Sequence, residues 1–183
     1  MAHIMNYLRK TINLPLILGA GGTEILKWWI DASFTVHPNV RGHISGGMSM
    51  GRVLPVVTST KQKLNNRSST EAYIAGVYGC IPAVCWTRYL LESQDYNVTE
   101  NIVYQDNQSA ILLEKNGKAS GSKRTKHINI RFLFVTYHIN KKEVTVEWCP
   151  TNGMTGDFMT RPLQGNLFKK FRDLIIGVIP TRK

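Results

Sequence analysis

Three aspartates, each at or just past the end of a hydrophobic run, constrain the folding of this chain more than any other feature. Asp31 follows Leu26-Lys27-Trp28-Trp29-Ile30, and Asp106 follows Ile102-Val103-Tyr104-Gln105. Asp157 lies beyond Val144-Thr145-Val146-Glu147-Trp148-Cys149 and a turn from Pro150 to Gly156. An unpaired charge beside such runs is costly. If the first two runs are neighbouring strands, their carboxylates emerge at adjacent strand ends, and a helix bearing Asp157 brings the third alongside. Such a cluster repels itself unless cations neutralise it. An oxygen-only site suits Mg²⁺ or Mn²⁺, and two such ions can drive phosphodiester hydrolysis. Taken singly, each residue also has a plainer role: Asp106 as a helix cap, Asp31 closing a turn, Asp157 in a first helical turn.

Size and charge narrow the partner. With 183 residues and 43% hydrophobic composition the chain is long enough for one buried core and too short to require two. The division expected is a tag remnant and connecting arm over 1–24, one domain over 25–177 and a tail over 178–183. Twelve acids against twenty-three bases give a net charge of +11, which favours a polyanionic partner, nucleic acid first. No continuous apolar run approaches the roughly 18–20 residues of a membrane span, so no membrane partner is expected. Cys80, Cys85 and Cys149 are odd in number and lack metal-ligand spacing, and they read as buried thiols in a reducing compartment. The opening Met1-Ala2-His3-Ile4-Met5 is too short for a secretory signal and reads as a vector remnant.

Periodicity gives the order of elements. Residues 6–22 read as an extended arm, 25–33 as a buried strand, and Ile44–Met50 with Val53–Thr58 as an antiparallel hairpin, so Asp31 opens a three-stranded meander. After Ser68-Ser69-Thr70, the residues Ile74, Val77, Ile81, Val84 and Cys85 recur at helical spacing, with Gly76, Gly79 and Pro82 weakening or kinking that helix. A strand from Ile102 leads into a helix from Asn107, and Lys115–Lys126 reads as a loop. A helix over His127–Asn140, a strand over Glu143–Cys149 and a short helix near Asp157 complete a β-β-β-α-β-α-α-β-α order. That order implies an α/β fold with a mixed sheet and helices on both faces. Trp28, Trp29, Trp86 and Trp148 are read as core.

Six phrases, in order, carry a family resemblance. They are Trp28-Trp29-Ile30-Asp31-Ala32-Ser33, Ser59-Thr60-Lys61-Gln62-Lys63-Leu64, Arg67-Ser68-Ser69-Thr70-Glu71-Ala72, Tyr104-Gln105-Asp106-Asn107-Gln108-Ser109-Ala110-Ile111, Lys123-Arg124-Thr125-Lys126-His127-Ile128-Asn129-Ile130-Arg131 and Gly156-Asp157-Phe158-Met159-Thr160-Arg161-Pro162-Leu163. Together they strongly resemble the ribonuclease H domain of copia-type retrotransposon polyproteins, over about residues 7–177. The resemblance implies a ribonuclease H-like fold with a mixed five-stranded sheet and helices on both faces. It further implies a site for two Mg²⁺ ions, with Mn²⁺ as substitute, and cleavage of the RNA strand of an RNA/DNA hybrid during reverse transcription. Asp31, Asp106 and Asp157 match three of the family's four catalytic, metal-binding acids. The implied partners are the hybrid and an upstream reverse transcriptase domain of the same polyprotein, in a retroelement particle in the cytoplasm or in the nucleus.

The fourth acid is where the chain departs. The family phrase resembles Ser-Ser-Thr-Glu-x-Glu, and its second Glu position is Tyr73 here. Glu71 remains as the alternative fourth ligand, but two residues on a helix correspond to about 200°, so Glu71 and Tyr73 leave in different directions. A Tyr phenol is a poor Mg²⁺ ligand at neutral pH, so the expectation is a missing ligand.

Between Glu114 and Glu143 there is no acid, while Lys115, Lys118, Lys123, Arg124, Lys126 and Arg131 accumulate. Those six residues are the expected phosphate contacts, set against the plainer reading of a solvated face. His127 orients a water or phosphate in one reading and caps a helix in the other. Two rivals to the nuclease are a non-catalytic module that binds hybrid or docks to a reverse transcriptase, favoured by Tyr73, and a transposase or integrase core, disfavoured by the absence of a zinc-binding cluster.

Overall fold

The computed structural model describes residues 2–19, 22, 24–63, 65–117 and 129–178. In chain order the elements are α1 (Ala2–Lys10), β1 (Ile25–Ser33), β2 (His43–Ser49), β3 (Val56–Lys61), α2 (Ser69–Glu92), β4 (Glu100–Gln105), α3 (Gln108–Asn116), α4 (Asn129–Asn140), β5 (Thr145–Trp148), α5 (Asp157–Thr160) and α6 (Gly165–Ile175). A 3₁₀ turn over Thr151–Gly153 joins β5 to α5. The strands form one sheet in the order β3-β2-β1-β4-β5. β1–β2 and β2–β3 are antiparallel, as the expected meander requires, and β1–β4 and β4–β5 are parallel. The architecture is therefore the mixed five-stranded α/β sheet expected from the sequence.

Alternation along β1 decides what covers each face. Trp28 and Ile30 point into a core with Val77, Ile81 and Val84 of α2 and with Val103 and Val146 of the neighbouring strands. Ala32 joins Tyr73, Ile74 and Phe132 in a continuation of that layer. Trp29 points the other way, stacks on Tyr104 at 5.5 Å between centroids, and packs with Leu54, Met154 and Ile175 at the end of α6.

α2 buries the whole stripe expected of it, and Ile74, Val77, Ile81 and Val84 are all fully covered. Ser68 starts the helix by accepting the Glu71 N–H at 3.2 Å, and the helix runs unbroken through Pro82, where a kink or weakening is expected from sequence. By length and composition α2 is apolar enough to cross a bilayer. Its buried residues from Ala72 to Cys85 pack against the sheet and α4, while Tyr78, Trp86, Tyr89 and Leu90 stay exposed.

Several expectations change. Residues 6–10, expected in an extended arm, belong to α1, whose Tyr7 meets Phe168 of α6 edge to face at 5.8 Å. The arm itself is fastened to the domain, with the Ile17 N–H donating to the Ile176 carbonyl at 2.9 Å. α6 lies beyond the elements expected from the sequence, although Leu167, Phe168, Phe171, Leu174 and Ile175 recur there at helical spacing. Trp86 and Trp148 are not core but 63% and 52% exposed, because Trp86 lies off the buried stripe of α2 and Trp148 ends the edge strand β5. Cys85 is buried as expected, whereas Cys80 and Cys149 are only half-buried.

Candidate active site

The parallel pairing of β1 and β4 places Asp31 and the residue after Gln105 at the same end of the sheet. Asp106 occupies that position, while Asn107 takes the capping role, its side chain accepting the Ala110 N–H at 3.1 Å. Asp106 is thereby left to face the site. Asp157 arrives from the other side of the turn after β5, on the first residue of α5. Its approach depends on Gly156: a Cβ there would lie 2.9 Å from the Asp31 Cβ and 3.2 Å from Ser45 Oγ. Ser45 Oγ donates to the Gly156 carbonyl at 2.7 Å and fastens this contact to β2.

The three carboxylates converge as expected from the sequence. Each offers an oxygen that lies within 4.8 Å of the others. Asp31 and Asp157 are buried, at 0% and 2% exposure. Burial first, then the Asp31 charge, push the Asp157 carboxyl up to about 7, against the pull of Arg161. Asp157 Oδ1 makes no hydrogen bond among the described residues and faces Arg161 Nη2 at 3.4 Å. The same guanidinium nitrogen lies 3.8 Å from Asp106 Oδ2, so a protein cation already stands beside two of the three acids. Thr151 Oγ1 donates to Asp106 Oδ2 at 3.4 Å, and Thr160 Oγ1 donates to Asp31 Oδ2.

Helix geometry separates Glu71 from Tyr73. Glu71 turns back to the helix start, where its carboxylate accepts the Arg67 N–H at 2.8 Å, so it does not join the aspartates as a fourth ligand. Tyr73 does face them, and its hydroxyl donates to Asp31 Oδ1 at 2.6 Å. Burial, followed by the Asp31 carboxylate, holds this phenol far above its ordinary pKa, so it is a donor here and not an anionic ligand.

An oxygen-only set of three carboxylates, in which the buried Asp157 Oδ1 makes no hydrogen bond among the described residues beyond its 3.4 Å ion pair with Arg161, fits a hard divalent cation. The basic residues are placed only in part: Lys115 is exposed near the end of α3 and Arg131 is half-buried near the start of α4. Lys118, Lys123, Arg124, Lys126 and His127 lie outside the described residues. Arg161 and Thr160 join the site although sequence reasoning does not single them out. Both lie in the phrase around Asp157, and their spacing of three and four residues from it on a helical turn is the available signal.

No protein-family model matches the chain. Over 173 residues it is 28% identical to the retrovirus-related Pol polyprotein from transposon TNT 1-94 of Nicotiana tabacum, an alignment covering 94% of this chain and 13% of that polyprotein. The chain thus spans a small part of its relative's length, and the expected kinship with a retrotransposon polyprotein is borne out. Among solved structures it is similar to an RNase H1 isolated from compost by a metagenomic approach, with a TM-score of 0.53 and 10% identity over 74% of this chain and 92% of that one. It is also similar to the N-terminal RNase H domain of a Mycobacterium tuberculosis protein, with a TM-score of 0.50 and 10% identity over 81% of this chain and 96% of that one. The fold is the ribonuclease H fold.

Proposed function

We propose that the chain is a ribonuclease H domain of a retroelement polyprotein that cleaves the RNA strand of RNA/DNA hybrids with the help of divalent metal, and that Tyr73 weakens it. The observation that carries this reading is the convergence of Asp31, Asp106 and Asp157 within 4.8 Å at the ends of two parallel strands. The three aspartates would hold the metal, Mg²⁺ or Mn²⁺. Bound divalent ions supply an activated water and charge stabilisation at the leaving oxygen in phosphodiester hydrolysis.

The chain's own groups do the rest. Thr160 and Tyr73 each donate to one oxygen of Asp31 and orient its carboxylate. Gly156 and Ser45 fix the distance between α5 and β1. Arg161, 46% exposed at the rim, offers a guanidinium for a phosphate once a divalent ion has taken over the neutralisation of Asp106 and Asp157. Lys115, Arg131 and the basic residues between them would grip the hybrid backbone, and 2′-hydroxyl contacts would select the RNA strand.

A second reading, a hybrid-binding or reverse-transcriptase-docking module without catalysis, is favoured by the Tyr73–Asp31 bond, which puts a neutral donor where the related phrase carries a metal-binding acid. The two separate in one assay. Labelled RNA/DNA hybrid is incubated with the protein in Mg²⁺ or Mn²⁺, beside Asp31→Asn. Slow cutting of the RNA strand by the parent protein, abolished in Asp31→Asn, supports the nuclease. Binding without any cutting supports the second reading.

A further inference from the structure

We propose a second metal site, for a zinc-class divalent ion, formed by Cys85 of α2, His138 of α4 and Glu143 at the entry to β5. It lies at the far end of the sheet from the aspartates. Asn101, near the start of β4, donates to the carbonyls of Val84 and Glu143 at 3.2 and 3.3 Å. From Asn101 to Asp106 the strand covers roughly 16 Å at about 3.3 Å per residue.

Each residue offers one ligand atom, and these atoms lie within 4.8 Å of one another. Cys85 Sγ is 3.6 Å from His138 Nδ1, and Glu143 Oε2 is 2.5 Å from the same nitrogen. Zinc bond lengths of about 2.3 Å to sulfur and about 2.05 Å to nitrogen imply a tetrahedral S···N edge of about 3.6 Å. The sulfur–nitrogen pair already has that spacing, while the carboxylate must withdraw from the ring by roughly 0.9 Å to meet the corresponding N···O edge.

Convergence on a single ring nitrogen is the decisive detail. A nucleophilic relay uses both nitrogens of the imidazole, one toward the thiol and one toward the acid. Here both partners face Nδ1. If Nδ1 carries its proton to Glu143 it has no lone pair for the thiol, and if it accepts from the thiol it has no proton for the carboxylate. A divalent ion satisfies sulfur, nitrogen and oxygen together. Burial first, then the Glu143 charge, push the Cys85 thiol up to about 11, and an ion bound there would have to displace its proton. Burial opposes ionisation of Glu143, but hydrogen bonds from His138 and Tyr89 outweigh it and hold the carboxyl below its ordinary value.

The turn that delivers Glu143 is built. Lys142 has a φ of 57°, in the left-handed region, and the Glu143 N–H donates to the His138 carbonyl at 3.1 Å. Arg88, one helical turn beyond Cys85, holds the turn by donating to the carbonyls of Lys142 and Glu143 at 3.0 and 3.2 Å. The ion would cross-link α2 to the α4–β5 turn, 53 residues further along the chain from Cys85 to His138, and so stabilise the fold. His138 and Glu143 side chains keep 13% and 20% exposure, which leaves a path for the ion and a fourth position for water.

The test is titration of the Asp31→Asn, Asp157→Asn double variant with Co²⁺ and then Zn²⁺ under reducing conditions, so that the aspartate site does not compete. One equivalent of Co²⁺ should give a thiolate-to-metal charge-transfer band that Zn²⁺ bleaches. Adding Cys85→Ser should remove the band, adding His138→Gln should weaken binding at least tenfold, and adding Cys80→Ser should leave both intact. Zn²⁺ should also raise the melting midpoint of the natural sequence, a readout that does not require any variant to fold. Absence of the band, or its persistence in Cys85→Ser, would overturn the proposal, as would an unmoved midpoint with Zn²⁺.

Discussion

The Tyr73 hydroxyl donates a 2.6 Å hydrogen bond to Asp31, so a neutral side chain satisfies the carboxylate at the centre of the aspartate cluster. The bond stabilises the metal-free site and competes with an ion for the same oxygen. Tyr73→Phe should therefore lower the melting midpoint in chelator by the equivalent of about 1.5–3 kcal/mol, the usual worth of a hydrogen bond to a charged group. It should also enlarge the stabilisation gained on adding Mg²⁺. Melts of both proteins in chelator and in Mg²⁺ check this, and an identical Mg²⁺ gain would contradict the competition.

Arg161 does part of a cation's work from the rim, 3.4 Å from Asp157 and 3.8 Å from Asp106. Removing that charge should make the cluster a better metal site and a poorer metal-free one. Arg161→Gln is expected to tighten apparent Mg²⁺ affinity several-fold in a calorimetric titration while lowering the midpoint in chelator. A weaker Mg²⁺ affinity would mean that Arg161 supports the ion and does not compete with it.

The backbone order and the aspartates are legible in the sequence because they rest on local rules. The hydrophobic run Leu26–Ile30 marks β1, the stripe from Ile74 to Cys85 marks α2, and an acid near the end of β1 with another just past β4 marks the site. The choice between Glu71 and Tyr73 is only half legible. The angle between them follows from helix pitch, but which one meets Asp31 depends on how α2 is rotated over the sheet, a tertiary property. Cys85, His138 and Glu143 are opaque for the same reason: 53 residues separate the first two, and only the packing of α2 against α4 brings them together. The helix α6 is legible too, since Leu167, Phe168, Phe171, Leu174 and Ile175 recur at helical spacing beyond Pro162, although it stands outside the expected order of elements.

Glu114 gives the fold a pH dependence independent of the aspartates. It is fully buried on α3, Gln105 Nε2 donates to it at 2.5 Å, and burial raises its carboxyl from 4.5 to about 8 against the opposing pull of that bond. Between those values the folded chain keeps a proton that the unfolded chain has lost. Stability from this group is thus complete below about 4.5 and declines as pH rises toward 8. Glu114→Gln should flatten that decline by up to about 1.4 kcal/mol per pH unit. Urea unfolding at several pH values measures it, and an unchanged slope would place the proton elsewhere.

Lys123, Arg124 and Lys126 belong to a stretch without acids between Glu114 and Glu143. If they hold phosphates, their joint replacement by Ala should weaken hybrid binding for all sequences alike. The log-log salt slope should flatten by about 1 for each phosphate that is no longer neutralised. Stability should hardly move if these residues form the solvated loop expected from the sequence. Unchanged affinity and slope would leave the stretch a solvated loop.

The most direct measurement is the single-turnover rate of RNA-strand cleavage in a labelled RNA/DNA hybrid, in Mg²⁺, for the natural sequence, Tyr73→Glu and Tyr73→Glu combined with Asp31→Asn. Restoring an acid where the phenol now donates to Asp31 should raise the rate at least tenfold, about 1.4 kcal/mol of barrier, and removing Asp31 should abolish it. A rate unchanged by Tyr73→Glu, or cleavage that survives without Asp31, would contradict the assignment of these aspartates as a ribonuclease H site weakened by Tyr73.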